Sequence, residues 1–277
     1  MKAKQATLFL LSCSLSLVAS AQTHRYIDIS ADHSTMVNSG TNILSNGINY
    51  TFGIKNDVGG YVFYPTIVKS NSLPGHESCF RFFMSAHPGT TTPGEKMLVN
   101  LVKVGDPFVP AWGREKTIGF DVMLGSHYQA QSQHMQLSEW WQGSPYGPPL
   151  EMLLIPGTTQ WAIGIENNAN NTQQGSSPEI LLPGSTLKRG QWYHFAISVT
   201  PNYSGNGKVQ VWLDGKLVMN NSSYPIGYNP ASGVGIRPGK PMDTFDVEVG
   251  MYRAANPNVV EIYFDDMRWG DTYEDVK

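Results

Sequence analysis

Gly190-Gln191-Trp192-Tyr193-His194-Phe195, with Gly207-Lys208-Val209-Gln210-Val211-Trp212-Leu213-Asp214-Gly215-Lys216 close behind it, is the stretch that decides the fold. Apolar and polar residues alternate in both pieces, which is the pattern of antiparallel strands with one buried face. Asp214-Gly215 is a pair that tolerates positive φ, so it predicts a tight turn between a strand ending at Leu213 and one starting near Leu217. His194 reads as a structural residue of this hairpin.

Working outward, the same alternation recurs at Thr117–Leu124, His134–Trp141, Gln160–Glu166, Trp192–Val199, Lys208–Asp214, Phe245–Tyr252 and Glu261–Trp269. Clusters of Gly, Pro, Asn and Ser separate these runs, and no stretch has a convincing helical period. Many strands without helical crossovers predict an all-β chain of two stacked antiparallel sheets, and the size favours a jelly-roll β-sandwich.

Residues 1–21 read as a signal peptide: Lys2 and Lys4 form a basic start, Ala6–Val18 an apolar stretch, and Ala19-Ser20-Ala21 a small-residue cleavage site. The remaining residues, 22–277, are expected to form one domain, exported and monomeric. No later stretch reaches the roughly 20 apolar residues that span a bilayer, so no membrane insertion is expected. Cys79 alone survives removal of the leader, which rules out an intramolecular disulfide. The formal charge is −3, and becomes −5 without Lys2 and Lys4. That balance argues against nucleic acid or a highly sulfated polyanion as partner.

Phe245-Asp246-Val247-Glu248-Val249-Gly250-Met251-Tyr252-Arg253 is the segment richest in chemistry. Alternation sends Phe245, Val247, Val249 and Met251 to the core and sets Asp246, Glu248, Gly250 and Tyr252 on the other face. The glycine beside an aromatic suggests a close approach to the backbone. Elsewhere, Arg81 groups with Cys79 and Phe83 against Phe80, Phe82 and Met84; His134 shares a face with Gln136; and Lys96 and Asn100 alternate with Met97, Val99 and Leu101.

The hairpin at 190–216 resembles one found throughout concanavalin A-like and laminin-G-like sandwiches. Gly250-Met251-Tyr252-Arg253, followed by Glu261-Ile262-Tyr263-Phe264-Asp265-Asp266-Met267-Arg268-Trp269-Gly270-Asp271, resembles the C-terminal end of jelly-roll polysaccharide lyases related to heparin lyase I and glucuronan lyase. Alginate lyases of that architecture carry a similar Gly-x-Tyr strand. Pro148-Pro149-Leu150-Glu151-Met152-Leu153-Leu154-Ile155 extends the likeness over most of the chain. The resemblance implies a lyase acting on an acidic polysaccharide, with Tyr252 as catalytic acid and in some relatives also base.

Elimination needs a group that neutralises the uronate carboxylate, a base for the C5 proton and an acid for the departing O4. Arg81 is the first candidate for the cation, opposed by a structural pairing with a protein acid, and His134 is the candidate base. Gln136, Glu139, Trp140, Trp141, Gln142, Glu248, Lys96 and Asn100 are candidates for holding substrate. Glu139-Trp140-Trp141 stands where related lyases carry a Gln-Trp-His-like motif, and a shift by one residue would use Gln142 instead. Glu248 stands where heparin lyase I-like sequences have lysine, which points to an unsulfated, glucuronate-containing chain.

Two other readings fit the same residues. Asp246 and Glu248, roughly 7 Å apart between Cα atoms on one strand, suit a two-carboxylate glycoside hydrolase. Trp140, Trp141 and Tyr252 would alternatively form the stacking platform of a lectin-like binder. No cofactor and no catalytic metal are expected. Asp265, Asp266 and Asp271 are candidates for a structural calcium, or simply a solvated turn.

Overall fold

A computed structural model describes residues 25–26, 42–45, 48–55, 66–69, 75–76, 78–84, 95–102, 111–143, 147–167, 180–229, 245–253 and 258–277. The expected leader, 1–21, lies outside the described residues. No described helix is long and apolar enough to cross a membrane.

Two eight-stranded sheets account for the described chain. The first contains β1 (Arg25–Tyr26), β4 (Thr66–Lys69), β5 (Ser78–Met84), β7 (Lys116–Leu124), β12 (Trp192–Thr200), β13 (Asn202–Leu213), β14 (Lys216–Ile226) and β16 (Val260–Gly270). Its order is β14-β13-β12-β7-β16-β5-β4, with β1 also on β16. The second contains β2 (Asn42–Ser45), β3 (Ile48–Lys55), β6 (Glu95–Val102), β8 (Met135–Trp141), β9 (Leu150–Leu154), β10 (Gln160–Ile165), β11 (Ile180–Thr186) and β15 (Asp246–Arg253). Its order is β11-β10-β9-β8-β15-β6-β3-β2. Every named strand pair is antiparallel, the arrangement expected of a jelly roll.

Alternation explains how the sheets meet. Phe80, Phe82, Phe120, Phe195 and Phe264 of the first sheet and Leu137, Trp140, Ile163, Val249 and Met251 of the second are buried in one apolar cluster. Trp161 meets Phe195 edge-on across the two sheets, with ring centroids 5.4 Å apart, a favoured aromatic geometry. The β13–β14 hairpin turns at Asp214 and Gly215, both at positive φ (50° and 78°), as the Asp-Gly pair requires. His194 is the structural residue of this hairpin: its backbone accepts from Asp214 N–H and donates to Asp214 Oδ1. Cys79 is fully buried, and burial first, then the Asp265 charge, pushes its thiol up to about 12, so it is packing rather than chemistry.

Candidate active site

β15 lies between β6 and β8, and their pairing sets the rows of residues across the sheet. Tyr252 is opposite Lys96 on one side and Gln136 on the other. Further along, Glu248 is opposite Asn100 and Glu139, and Glu139 is opposite Glu151 of β9. The register of the second sheet therefore sets Lys96, Tyr252 and Gln136 in one row, and Asn100, Glu248, Glu139 and Glu151 in another.

Two backbone irregularities put these residues on one face. In β8, Gln136 pairs with Leu153 but Ser138 with Met152, so β8 carries an extra residue there. A bulge of this kind turns Leu137 and Ser138 both toward the core and reverses the alternation beyond them. Trp140 consequently joins the core, 1 % exposed, while Gln136, Glu139 and Trp141 share the outer face. In β15, Val249 pairs with Ser138 and Tyr252 with Gln136, which leaves Gly250 and Met251 opposite Leu137 alone. Gly250 sits at φ 147°, in the region that side chains avoid.

The glutamate row is buried: Glu139, Glu151 and Glu248 are 4 %, 2 % and 6 % exposed. Like charges directly opposite repel, and Glu151 responds by holding a proton. Burial pushes the Glu151 carboxyl up to about 8; the neighbouring charges of Glu166 and Glu139 add to this, against a hydrogen bond from the Gln136 amide. Glu166, at the end of β10, accepts a 2.7 Å bond from the Tyr228 hydroxyl. Neither Glu151 nor Glu166 is marked as a site residue by the sequence reading. The available signal is the alternation of Leu150, Met152 and Leu154, which leaves Glu151 on the opposite side.

Several expectations need correction. Arg81 belongs to β5 in the other sheet, so it is not the cation beside Tyr252. Its Nε and Nη2 both donate to Glu261 Oε1, at 2.9 and 2.7 Å. Trp140 is core and cannot stack on sugar. Gln142 is buried, and its amide clasps the Tyr228 backbone in both directions, at 2.7 and 2.8 Å, which makes it a structural brace. Gln136, although on the site face, spends an amide hydrogen on Glu151.

His134 immediately precedes β8, two residues from Gln136, and burial lowers its pKa, which favours neutral imidazole. Trp141 is half-buried and opposite Asp246. The side chains of Lys96 and Asn100 lie outside the described residues. The candidate calcium trio does not form a group among the described residues: His76 Nδ1 lies 2.9 Å from Asp265 and Arg268 bonds Asp266, while Lys116 pairs with Asp271. Asp266 instead approaches Asp121 and His194, with potential ligand atoms within 4.8 Å of one another. That trio is in the first sheet, remote from Tyr252.

A family profile described as polysaccharide lyase matches residues 99–268, more than half of the chain and every member of the two rows except Lys96. The chain belongs to the polysaccharide lyase family. A search of curated protein sequences returns no match. Among solved structures the lyase is similar to an endo-β-1,4-glucuronan lyase from the fungus Trichoderma reesei, with TM-score 0.57 and 16 % identity over 80 % of this chain and 92 % of that one. The alginate lyase Aly36B matches with TM-score 0.53 and 13 % identity, covering 90 % and 97 %. An alginate lyase from Aplysia kurodai matches with TM-score 0.52 and 10 % identity, covering 75 % and 87 %. These likenesses bear out the jelly-roll fold. Membership of the lyase family sets aside the hydrolase and lectin readings.

Proposed function

We propose that this lyase cleaves an unsulfated, glucuronate-containing polysaccharide by β-elimination, with Tyr252 at the centre of the reaction. What carries this reading is the row that sets Tyr252 between Lys96 and Gln136. A lysine in that row supplies positive charge to the uronate carboxylate and makes the C5 proton acidic. The base removes that proton, the electrons form the C4–C5 double bond, and the C4–O4 bond breaks as Tyr252 donates its proton to O4. A phenol is a weak acid suited to give a proton to the departing oxygen.

His134, neutral by virtue of burial and two residues from Gln136, is suited to act as base. Otherwise Tyr252 starts as the phenolate, which a neighbouring cation would have to stabilise, takes the C5 proton and passes it to O4, which requires both groups on the same side of the sugar. The substrate class follows from charge. Negative charge at Glu248 and Glu139 opposes a dense sulfate array, whereas a polymer with a single carboxylate per sugar is compatible with one lysine. The lyase is proposed to act outside the cytoplasm once residues 1–21 are removed.

Products decide the chemistry. Mass spectrometry of digested β-1,4-glucuronan should show oligosaccharides one water lighter than hydrolysis products. Fragments at the full hydrolytic mass would overturn the reading.

A further inference from the structure

On the outer face of the first sheet, at the end of the sandwich where β7 leads toward β8, lies a cleft of about 470 Å³. Arg81, Phe83, His127, Tyr128, Arg189 and Val259 line it. We propose that this cleft is a second, non-catalytic binding site for one uronate unit of the same polysaccharide. The choice of ligand rests on the lyase reading above.

The cleft is organised around a buried acid. Glu261 accepts from Arg81, from the backbone N–H and Nδ1 of His127 (3.1 and 2.8 Å), and from the Tyr263 hydroxyl (2.9 Å). Gly125 makes room for it: a Cβ there would lie 2.5 Å from the Glu261 side chain. These bonds fix the Arg81 guanidinium over the Phe83 ring, 4.7 Å from its centroid, and leave its Nη1 without a partner among the described residues. With Nδ1 bound to Glu261, the exposed His127 ring turns Nε2 outward.

Charge selects the ligand. Glu261 offsets one of the two guanidinium charges, and exposed Arg189 has no acidic partner among the described residues. One positive charge is left over, which suits a single carboxylate better than a sulfated sugar. Phe83 offers a face for the sugar ring. The volume falls within the roughly 300–1,000 Å³ of small-molecule sites.

Placement gives the cleft its use. The chain leaving β7 at Leu124 lines the cleft with His127 and Tyr128, then reaches His134 and enters β8 beside Tyr252. Both sites thus sit at the same end of the sandwich on opposite sheets. The two sites face outward from sheets stacked about 10 Å apart, so a chain joining them passes around the sandwich end over more than that spacing, a path for which a polymer has length to spare. A polymer held at both sites gains affinity without a new contact at the reacting bond.

The test uses the full mature chain carrying Tyr252→Phe, so that ligand is not consumed. Retention by β-1,4-glucuronan in affinity electrophoresis should fall at least about tenfold on adding Arg189→Glu, and Arg189→Lys should keep most of it. Elimination from a tetrasaccharide by Arg189→Glu alone should be unchanged. Polymer affinity of Arg189→Glu within twofold of its parent, or equal retention by an uncharged β-glucan, overturns the proposal. Because retention needs no turnover, an Arg189-dependent retention without any elimination keeps the cleft and rejects the lyase reading. Elimination with Arg189-independent retention rejects the cleft alone.

Discussion

Glu139 of β8 sits directly opposite Glu151 of β9, both side chains almost wholly buried on the outer face of the second sheet. Two ionised carboxylates in that position would repel each other in a poorly hydrated setting. Glu151 is therefore the member of the row that holds a proton, and it gives the lyase a pH signature.

Burial raises the Glu151 carboxyl from its ordinary 4.5 to about 8, so between those values the folded chain binds a proton that the unfolded chain releases. The stability this supplies is present in full below 4.5 and is lost as pH rises through about 8. Thermal unfolding from pH 4.5 to 9 should show a falling melting temperature, and Glu151→Gln should flatten that slope. A wild-type slope identical to that of the variant would contradict the assignment.

Glu261 has the opposite dependence. Burial alone would raise its carboxyl, but the bonds from Arg81, His127 and Tyr263 outweigh that and bring it down to about 2. Its contribution is present above the ordinary 4.5 and is lost as pH falls toward 2. Glu261→Gln should cost about 3 kcal/mol at neutral pH, since it leaves Arg81 unpaired, and urea unfolding at pH 7 and pH 3 should show the difference shrinking in acid.

Gly250 holds φ 147° two residues before Tyr252. Gly250→Ala should destabilise the fold by about 1–3 kcal/mol and reduce turnover beyond what unfolding explains, because the bulge sets the register of Tyr252 against Gln136. Calorimetry and initial rates, both well below the melting temperature, separate the two effects.

Glu248 shares the face of Tyr252 on β15, four residues away. Glu248→Gln should lower KM for a uronate polymer about two- to fivefold, the size of a modest charge interaction, with the gain fading at high salt. A KM that rises would mean that Glu248 holds the sugar by hydrogen bonds.

How much of this was legible in the sequence depended on the range of the interaction that decides it. The alternation of Phe245–Tyr252 is unbroken, so Tyr252 and Glu248 were placed on the correct face from sequence alone, and Asp214-Gly215 marked its turn through local backbone chemistry. Trp140 departs from its expected face because one extra residue in β8 reverses the alternation, and a bulge has no reliable signature in the side chains around it. Arg81 was placed on the correct face of its strand. Its sheet could not be read, because the consecutive strands β5 and β6 enter different sheets, a matter of long-range pairing. Glu151 escaped notice because its chemistry comes from neighbours on β8 and β10.

The most direct test compares the wild-type chain with Tyr252→Phe on β-1,4-glucuronan, following the ultraviolet absorbance of the unsaturated uronide ends that elimination creates. The expected result is rising absorbance with the wild type and a rate reduced on the order of 10²–10⁴-fold in the folded variant. Undiminished absorbance from Tyr252→Phe would contradict the central role given to Tyr252.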